Sequence, residues 1–382
     1  MAAPVLSYPE CMRIAYCIST LEIGGAEKQA LLLANQMRRR GHIVLLFVLF
    51  AAEGIELETQ LPVVRLNQPR TVRGLLRAAR LARAFLSAFQ PDLLHSHTFP
   101  ANMFARMLAM RGHVPFVVHT FHNVTEGGPL RTLAYRLTRR SMDASTAVSE
   151  AVRMRMLRRH IVTPTTIQTI PNAIDLDALR VEPTQRPTLR AELARGASFV
   201  WIAVGRISRA KDYPNLLRAF ALVHEQQPSA ALWIVGDVAA DRHQRSNREL
   251  LGRIQSAPGV RCLGSRSDVP ALLFAADGFV LASAWEGAPL ALAEAMAMQL
   301  PVVATDVGGV REILADCGEL VPQCDSPSLA SAMLRVMRLT SASLERLASS
   351  RARIEEHFAI PAIIQQWESF YDHLLARSRM AS

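Results

Sequence analysis

In the stretch SAWEGAPLALAEAMAM, Ser283 to Met298, two carboxylates stand eight residues apart in apolar surroundings. From Gly287 onward Glu294 is the sole polar side chain, and Ala, Leu and Met there are strong helix formers. Pro289 suits the first turn of that helix. An all-apolar helix is normally buried, and a buried carboxylate is costly without a partner. Glu286 lies in the turn before the helix, and Ala288, Pro289 and Leu290 mark its N-terminus, a natural seat for phosphate. Two carboxylates flanking such a seat suit hydroxyls, because a carboxylate accepts hydrogen bonds and repels phosphate. A molecule with a sugar, a diphosphate and a ribose in sequence fits that order. An acid/base pair fits less well, since eight residues with helix between them span on the order of 10 Å.

A second candidate is AVGRISRAKDYPNLL, where a strand ends at Gly205 and Arg206 and Lys211 precede a helix. Guanidinium can fork two phosphate oxygens, while ammonium acts as a compact point charge. The alternative is a basic loop paired with Asp212. Of 43 basic residues only Lys28 and Lys211 are lysines, and both fall in candidate turns. The other holds Gly24 and Gly25 in STLEIGGAEKQ, a pair that lets helix amides approach an anion. It is not the G-x-G-x-x-G pattern, and near the end of the next strand only Glu53 is available for a ribose, so dinucleotide oxidoreductase chemistry is disfavoured. A fourth turn, ATDVGGVREIL, carries Gly308 and Gly309.

The elements that must position these turns alternate. MRIAYCI, IVLLFVLF, DLLHSHT, PFVVHTFHN, ASTAVS and TTIQTIPN read as strands, with helical patterns between the earlier ones. After a proline-rich, charged stretch, SFVWIAVG, AALWIVGD, VRCLG, GFVLAS and PVVATD resume the rhythm. Continuous apolar strands alternating with helices predict α/β architecture with parallel sheets covered on both faces. We expect two tandem Rossmann-like, doubly wound domains facing a cleft. Residues 1–178 form the N-terminal domain, 179–197 a linker, 198–358 the C-terminal domain and 359–382 a final helix. Ligands in such sheets bind at strand carboxyl ends, where all four turns lie.

GRISRAKD, the Glu-x7-Glu spacing of EGAPLALAE, and PVVATDVGGVREI resemble the C-terminal half of family-4 retaining glycosyltransferases of the GT-B fold. LEIGGAEKQALLLA, PDLLHSHT, VVHTFHN, STAVSEAV and IPNAIDL are similar to the N-terminal half, in order and spacing. The resemblance runs from about Met12 to the last helix. It implies a nucleotide-diphosphate sugar as donor and a lipid-linked or saccharide acceptor served by the N-terminal domain, as in envelope or exopolysaccharide synthesis. Arg206 and Lys211 would hold the diphosphate, Glu286 the transferred sugar and Glu294 the ribose. Gly25 would bring its loop to the diphosphate, and His122 would reach the donor sugar. His95, His97 and His119 carry weaker signals. The final helix would return to the N-terminal domain. No cofactor and no metal ion are implied, Arg and Lys taking the place of a divalent cation; Asp175 and Asp177 form a carboxylate pair in a loop that is not a metal site in this family. Ala288 replaces a larger apolar residue usual there, and GDVAADR departs from the usual pattern where the base would bind.

The chain has 382 residues, of which 50% are hydrophobic and 20% charged, enough for two folded domains. Its longest apolar run, 43–52, is about half a membrane span. No basic region followed by an apolar core opens the sequence, so no signal peptide is expected. Five cysteines without a CxxC pair favour reduced thiols in the cytosol. Residues 1–180 hold 22 Lys and Arg against 12 Asp and Glu, whereas residues 181–382 hold 21 of each, so the whole net charge of +10 lies in the first half. The arginines cluster in RTVRGLLRAARLARAFLSAF and AVRMRMLRRH, which suit either an anionic membrane surface or solvent. Nucleic acid is disfavoured, because aromatics are 6% and do not interleave with the arginines. Two alternatives stay open: a phosphorylase or epimerase on the same scaffold, and a non-catalytic sugar-nucleotide-binding subunit.

Overall fold

The structure, a computed structural model, describes residues 11–52, 56–238, 244–338 and 341–379. The chain forms two compact units, residues 1–173 with 361–382, and residues 174–360.

The first unit carries a seven-stranded parallel sheet in the order β3-β2-β1-β4-β5-β6-β7. Its strands are β1 Arg13–Ile18, β2 Ile43–Val48, β3 Val63–Arg65, β4 Leu93–His97, β5 Val117–Phe121, β6 Ala144–Ala147 and β7 Ile167–Thr169. The connecting helices are α1 Gly25–Arg39, α2 Val72–Phe89, α3 Phe99–Ala109, α4 Pro129–Leu137 and α5 Glu150–Arg158. Buried residues of α2 and α3, such as Ala78, Ala82, Phe104 and Leu108, pack on Ala15, Phe47 and Leu94 of the sheet.

The second unit has six parallel strands in the order β10-β9-β8-β11-β12-β13: β8 Phe199–Val204, β9 Ala230–Val235, β10 Val260–Gly264, β11 Gly278–Leu281, β12 Val302–Thr305 and β13 Glu319–Val321. Its helices are α6 Gln185–Leu189, α7 Tyr213–Gln226, α8 Gln244–Ser256, α9 Val269–Ala275, α10 Leu290–Ala297, α11 Val310–Leu314, α12 Ser326–Val336 and α13 Ser341–His357. In both sheets the strand order reverses beside the first strand, between β1 and β4 and between β8 and β11. That reversal opens a crevice at the strand carboxyl ends, where doubly wound folds take ligands.

The segment 179–197, expected as a linker, is folded onto the second unit. Its α6 runs on into a π-helical turn, Arg190–Ala194, and buries Leu193 and Ala194. Arg186 and Arg190 reach Asp277 at 2.7 and 2.5 Å, and the same carboxylate accepts from Val200 N at 2.8 Å. Prolines and charges that read as a linker are thus a helix tied down by ion pairs.

The last helix, α14 Ile360–Arg379, returns to the first unit. It buries Ile363, Ile364, Trp367, Tyr371 and Leu374 along one stripe, the spacing of an amphipathic helix. Tyr371 hydroxyl lies 3.1 Å from that of Tyr16 on β1 and 2.7 Å from His95 Nδ1 on β4.

Candidate active site

In the second unit the crevice is walled by three turns that bond to one another. The turn after β8 touches the turn after β11 through Ala284 N to Ala210 O, 2.8 Å. The turn after β12 joins through Gly309 N to Gly287 O, 3.1 Å. Gly308 permits this approach. Its φ is +53°, and a Cβ there would lie 1.8 Å from Glu286 O.

Within this frame Lys211 Nζ donates to Glu286 Oε1 at 2.6 Å, across the crevice from β8 to β11. Ser283 Oγ donates to the same oxygen at 2.6 Å. Both ends are mostly covered, with 20% of Lys211 and 12% of Glu286 exposed. Asp212 is not the lysine's partner: it caps α7 through Asn215 N and accepts from Cys324. An ammonium has three donors, and Lys211 commits one of them to Glu286. Gly205 makes room for it, since a Cβ there would lie 2.7 Å from Lys211 Cε. Arg206 is exposed at the same turn, with no ion pair among the described residues.

The opening helix begins one residue later than its sequence suggests. Pro289 is the N-cap and Leu290 the first helical residue. A proline has no N–H, so the N-terminal amides begin at Leu290. Glu294 is half-buried in the second turn of α10, while Leu292, Ala293, Ala295 and Met296 are buried. The expected fully buried helix thus leaves its carboxylate partly open. At the other end Ser350 and Arg351 of α13 donate to Met296 O and Ala297 O. This fixes the helix from behind.

In the first unit Gly24 caps α1 and Gly25 is its first residue, with Lys28 exposed in the second turn. Across that unit's crevice Ser19 Oγ meets Thr98 Oγ1 at 2.5 Å. His122 follows β5, half-buried, its Nε2 2.9 Å from His97 Nδ1. Burial lowers His122 to about 4, so its ring is neutral at pH 7. His119 points to the opposite face, between Ser96 Oγ at 2.6 Å and the buried Arg106 Nε at 2.9 Å. Burial lowers that guanidinium to about 10. His95 bridges Tyr371 and Thr120.

Asp175 Oδ1 accepts from Asp177 N and Ala178 N, and Asp177 pairs with the exposed Arg180. The pair is a turn cap. No cluster of metal-ligating side chains occurs among the described residues. Glu53 and the end of GDVAADR lie outside the described residues. A groove of about 890 Å³ between β7 and α14 contains none of the candidate side chains. The Ser283–Glu286–Lys211 arrangement was not read from the sequence. Lys211 and Glu286 each stand out in it, but nothing local in the sequence marks their pairing or the serine between them.

Two parallel-sheet units of this strand order have the GT-B fold. Residues 23–178 match the profile described as Glycosyltransferase Family 4, and residues 198–338 that described as Glycosyl transferases group 1. The chain belongs to the family-4 glycosyltransferases of the GT-B fold. It is 27% identical over 260 residues to the UDP-Gal:alpha-D-GlcNAc-diphosphoundecaprenol alpha-1,3-galactosyltransferase of Escherichia coli. That match covers 64% of this chain and 66% of the other, just under two thirds. Among solved structures, Anabaena HepE in complex with UDP and glucose superposes with a TM-score of 0.81 at 21% identity, covering 94% of this chain and 99% of the other. Sucrose-phosphate synthase from Thermosynechococcus elongatus gives 0.82 at 22%, covering 95% and 99%.

Proposed function

We propose that this protein is a metal-independent, retaining glycosyltransferase. It moves a sugar from a nucleotide-diphosphate sugar to a lipid-linked or saccharide acceptor, in envelope or exopolysaccharide synthesis. The observation that carries the reading is the Lys211–Glu286 pair at the β8/β11 crevice, with Arg206 exposed beside it. Lys211 and Arg206 stabilise the departing diphosphate, Glu286 holds hydroxyls of the transferred sugar, and Glu294 holds those of the ribose. The helix start at Leu290 and the Gly24–Gly25 turn add amides toward phosphate. His122 meets the sugar. Catalysis is electrostatic: fixed cations and amides take up charge as it develops on the leaving group. The diphosphoundecaprenol-linked acceptor and UDP-Gal donor in the name of the similar Escherichia coli enzyme, and the UDP and glucose bound to HepE, support a nucleotide-sugar donor here. Lys211→Ala and Arg206→Ala should each lower turnover more than about tenfold, because each removes charge stabilisation of the leaving group. Near-normal turnover in both would overturn the assignment. Thermal-shift screening against UDP-, GDP- and ADP-sugars identifies the donor, because a ligand that binds only the folded state raises its stability.

The second part of the reading concerns a membrane surface. No helix among the described residues is long and apolar enough to cross a membrane. The first unit instead exposes apolar side chains among arginines. On α4, Leu130, Leu133 and Leu137 are 82, 50 and 77% exposed along one face, with Arg131, Arg136, Arg139 and Arg140 around them. On α2, Leu76, Leu81 and Phe85 stand exposed among Arg73, Arg77, Arg80 and Arg83. Apolar residues flanked by cations suit the headgroup region of an anionic bilayer, with the protein peripheral on its cytoplasmic side. The protein should sediment with anionic vesicles at low salt and not with zwitterionic ones. A Leu133→Gln/Leu137→Gln variant should bind several-fold more weakly, since buried apolar area adds to binding. Equal sedimentation with both vesicle types removes this part of the proposal and leaves the catalytic part standing.

A further inference from the structure

His97 is the last residue of β4, and it is almost fully buried. The register pairs it with Thr120 of β5, so His122, two residues on, lies diagonally across on the same sheet face. The same diagonal step joins His95 Nε2 to Thr120 Oγ1 at 2.7 Å. Packing against His95, with ring centres 4.2 Å apart, and against Tyr16 leaves the His97 ring little freedom to turn. One of its nitrogens, Nδ1, lies 2.9 Å from His122 Nε2. The other, Nε2, is buried without a hydrogen-bond partner among the described residues.

Burial pushes both imidazoles well down, so both are neutral at pH 7 and one proton lies between them. Two arrangements of that proton exist. If His122 Nε2 held it, neutral His97 would carry its own proton on Nε2, as a buried N–H with nothing to donate to. Orphaned buried N–H groups are rarer than under-used acceptors. The proton therefore belongs to His97 Nδ1, which donates to His122 Nε2. Neutral His122 then carries its proton on Nδ1, for which no protein acceptor occurs among the described residues.

We propose that His97 is a positioning residue that holds His122 in its Nδ1–H tautomer, so that His122 meets the substrate as a hydrogen-bond donor to a sugar or phosphate oxygen and not as a general base. The inference rests on the reading of His122 as a substrate-facing group. A general base needs a free lone pair on the reacting side and a pKa near the working pH. The single lone pair of His122 is taken up by His97, and burial adds to its weakness as a base. A donor needs only an N–H whose direction is fixed in advance, which the bond to His97 provides. In the transfer, the acceptor proton must therefore leave by another oxygen, and the donor phosphate supplies one.

Histidine-ring 15N spectroscopy of the full-length protein tests the tautomer directly, with the His122 signals assigned by their loss in His122→Gln. We expect protonation on Nδ1 and none on Nε2 throughout pH 5.5–8, a window above the value of about 4 to which burial lowers the ring. His97→Asn, whose amide N–H replaces Nδ1–H, should preserve that signature and keep turnover within about threefold. His97→Leu should release His122 to Nε2–H and lower turnover about tenfold or more, in line with the loss of a preorganised donor. Turnover is read as nucleoside diphosphate released from whichever of the UDP-, GDP- or ADP-sugars gives the largest thermal shift. An Nε2–H signature in the unaltered protein, or equal loss in the Asn and Leu variants, overturns the proposal. Should the Leu variant fail to fold, the unaltered protein's spectrum still decides. If the Nδ1–H signature holds while His122→Gln turns over normally, the substrate-facing reading of His122 falls and the tautomer assignment survives.

Discussion

Glu126 sits in the loop after His122, 9% exposed, and accepts from Tyr135 hydroxyl at 3.2 Å. Burial raises its carboxyl from 4.5 to about 7, against the opposing pull of the Tyr135 hydrogen bond and the Arg131 charge. A carboxyl whose folded value is raised favours folding while protonated. That contribution is complete below the unfolded value and is lost as pH rises through 7. Glu126→Gln keeps an acceptor for Tyr135 and cannot ionise. It should therefore gain stability over the unaltered protein as pH rises from 5 to 8, reaching roughly 3 kcal/mol at about 1.4 kcal/mol per pKa unit. Amide hydrogen exchange of the first unit's strands, corrected for the intrinsic rate at each pH, measures it, and a pH-independent difference would sink the argument. The sequence showed the residue types of the candidate site but not their pairing. Lys211 and Glu286 are separated by 75 positions, so only the folded switch point makes them neighbours. Asp212, adjacent in sequence, was the tempting partner, and its side chain turned out to be committed to capping α7.

At the scale of elements, the long apolar strands were legible because burial on both faces leaves continuous runs of Val, Ile, Leu and Phe. β3 and β13 were not, since each is three residues long with no fully apolar run, at a sheet edge. The helix over 185–189 was missed because its stability is not local: Arg186 and Arg190 depend on Asp277, some 90 positions away. The histidines of DLLHSHT and VVHTFHN hid a different pattern. Strand alternation sends His95 and His97 to one face and Ser96 with His119 to the other, so the polar groups form two separate networks. The turn after β12 gives the sharpest test at this scale. Gly308→Ala adds a Cβ to a residue at positive φ and drives it into Glu286 O, which is backbone and cannot rotate away. We expect a loss of at least about 2 kcal/mol, the range of overpacking with backbone strain. Turnover should fall further than stability explains, because the displaced backbone carries Glu286. Unchanged thermal midpoint and turnover would show that the three turns are not coupled.

Across the whole chain, the helix last in sequence completes the unit first in sequence. Tyr371 supplies the hydroxyl that Tyr16 and His95 share, so a polar contact spanning 355 positions fixes α14 to β1 and β4. Burial lowers His95 and keeps it neutral, and raises Tyr371, so the link is a neutral hydrogen-bond chain that ends on Thr120 and Thr146. Such a chain loses more when one member is deleted than the average surface bond does, because the remaining groups stay buried and unpaired. Tyr371→Phe preserves the ring that packs on Trp367 and removes only the hydroxyl. It should cost about 1–3 kcal/mol, the penalty for a buried group left without its partner. Because the chain has two units, a single unfolding midpoint averages over both. Amide hydrogen exchange separates them: protection should fall in β1 and β4 and stay unchanged in β8 and β11, which belong to the other unit. Equal loss in both sheets would mean that α14 stabilises the whole chain and not the first unit alone, and no loss in either would remove the hydroxyl from the argument.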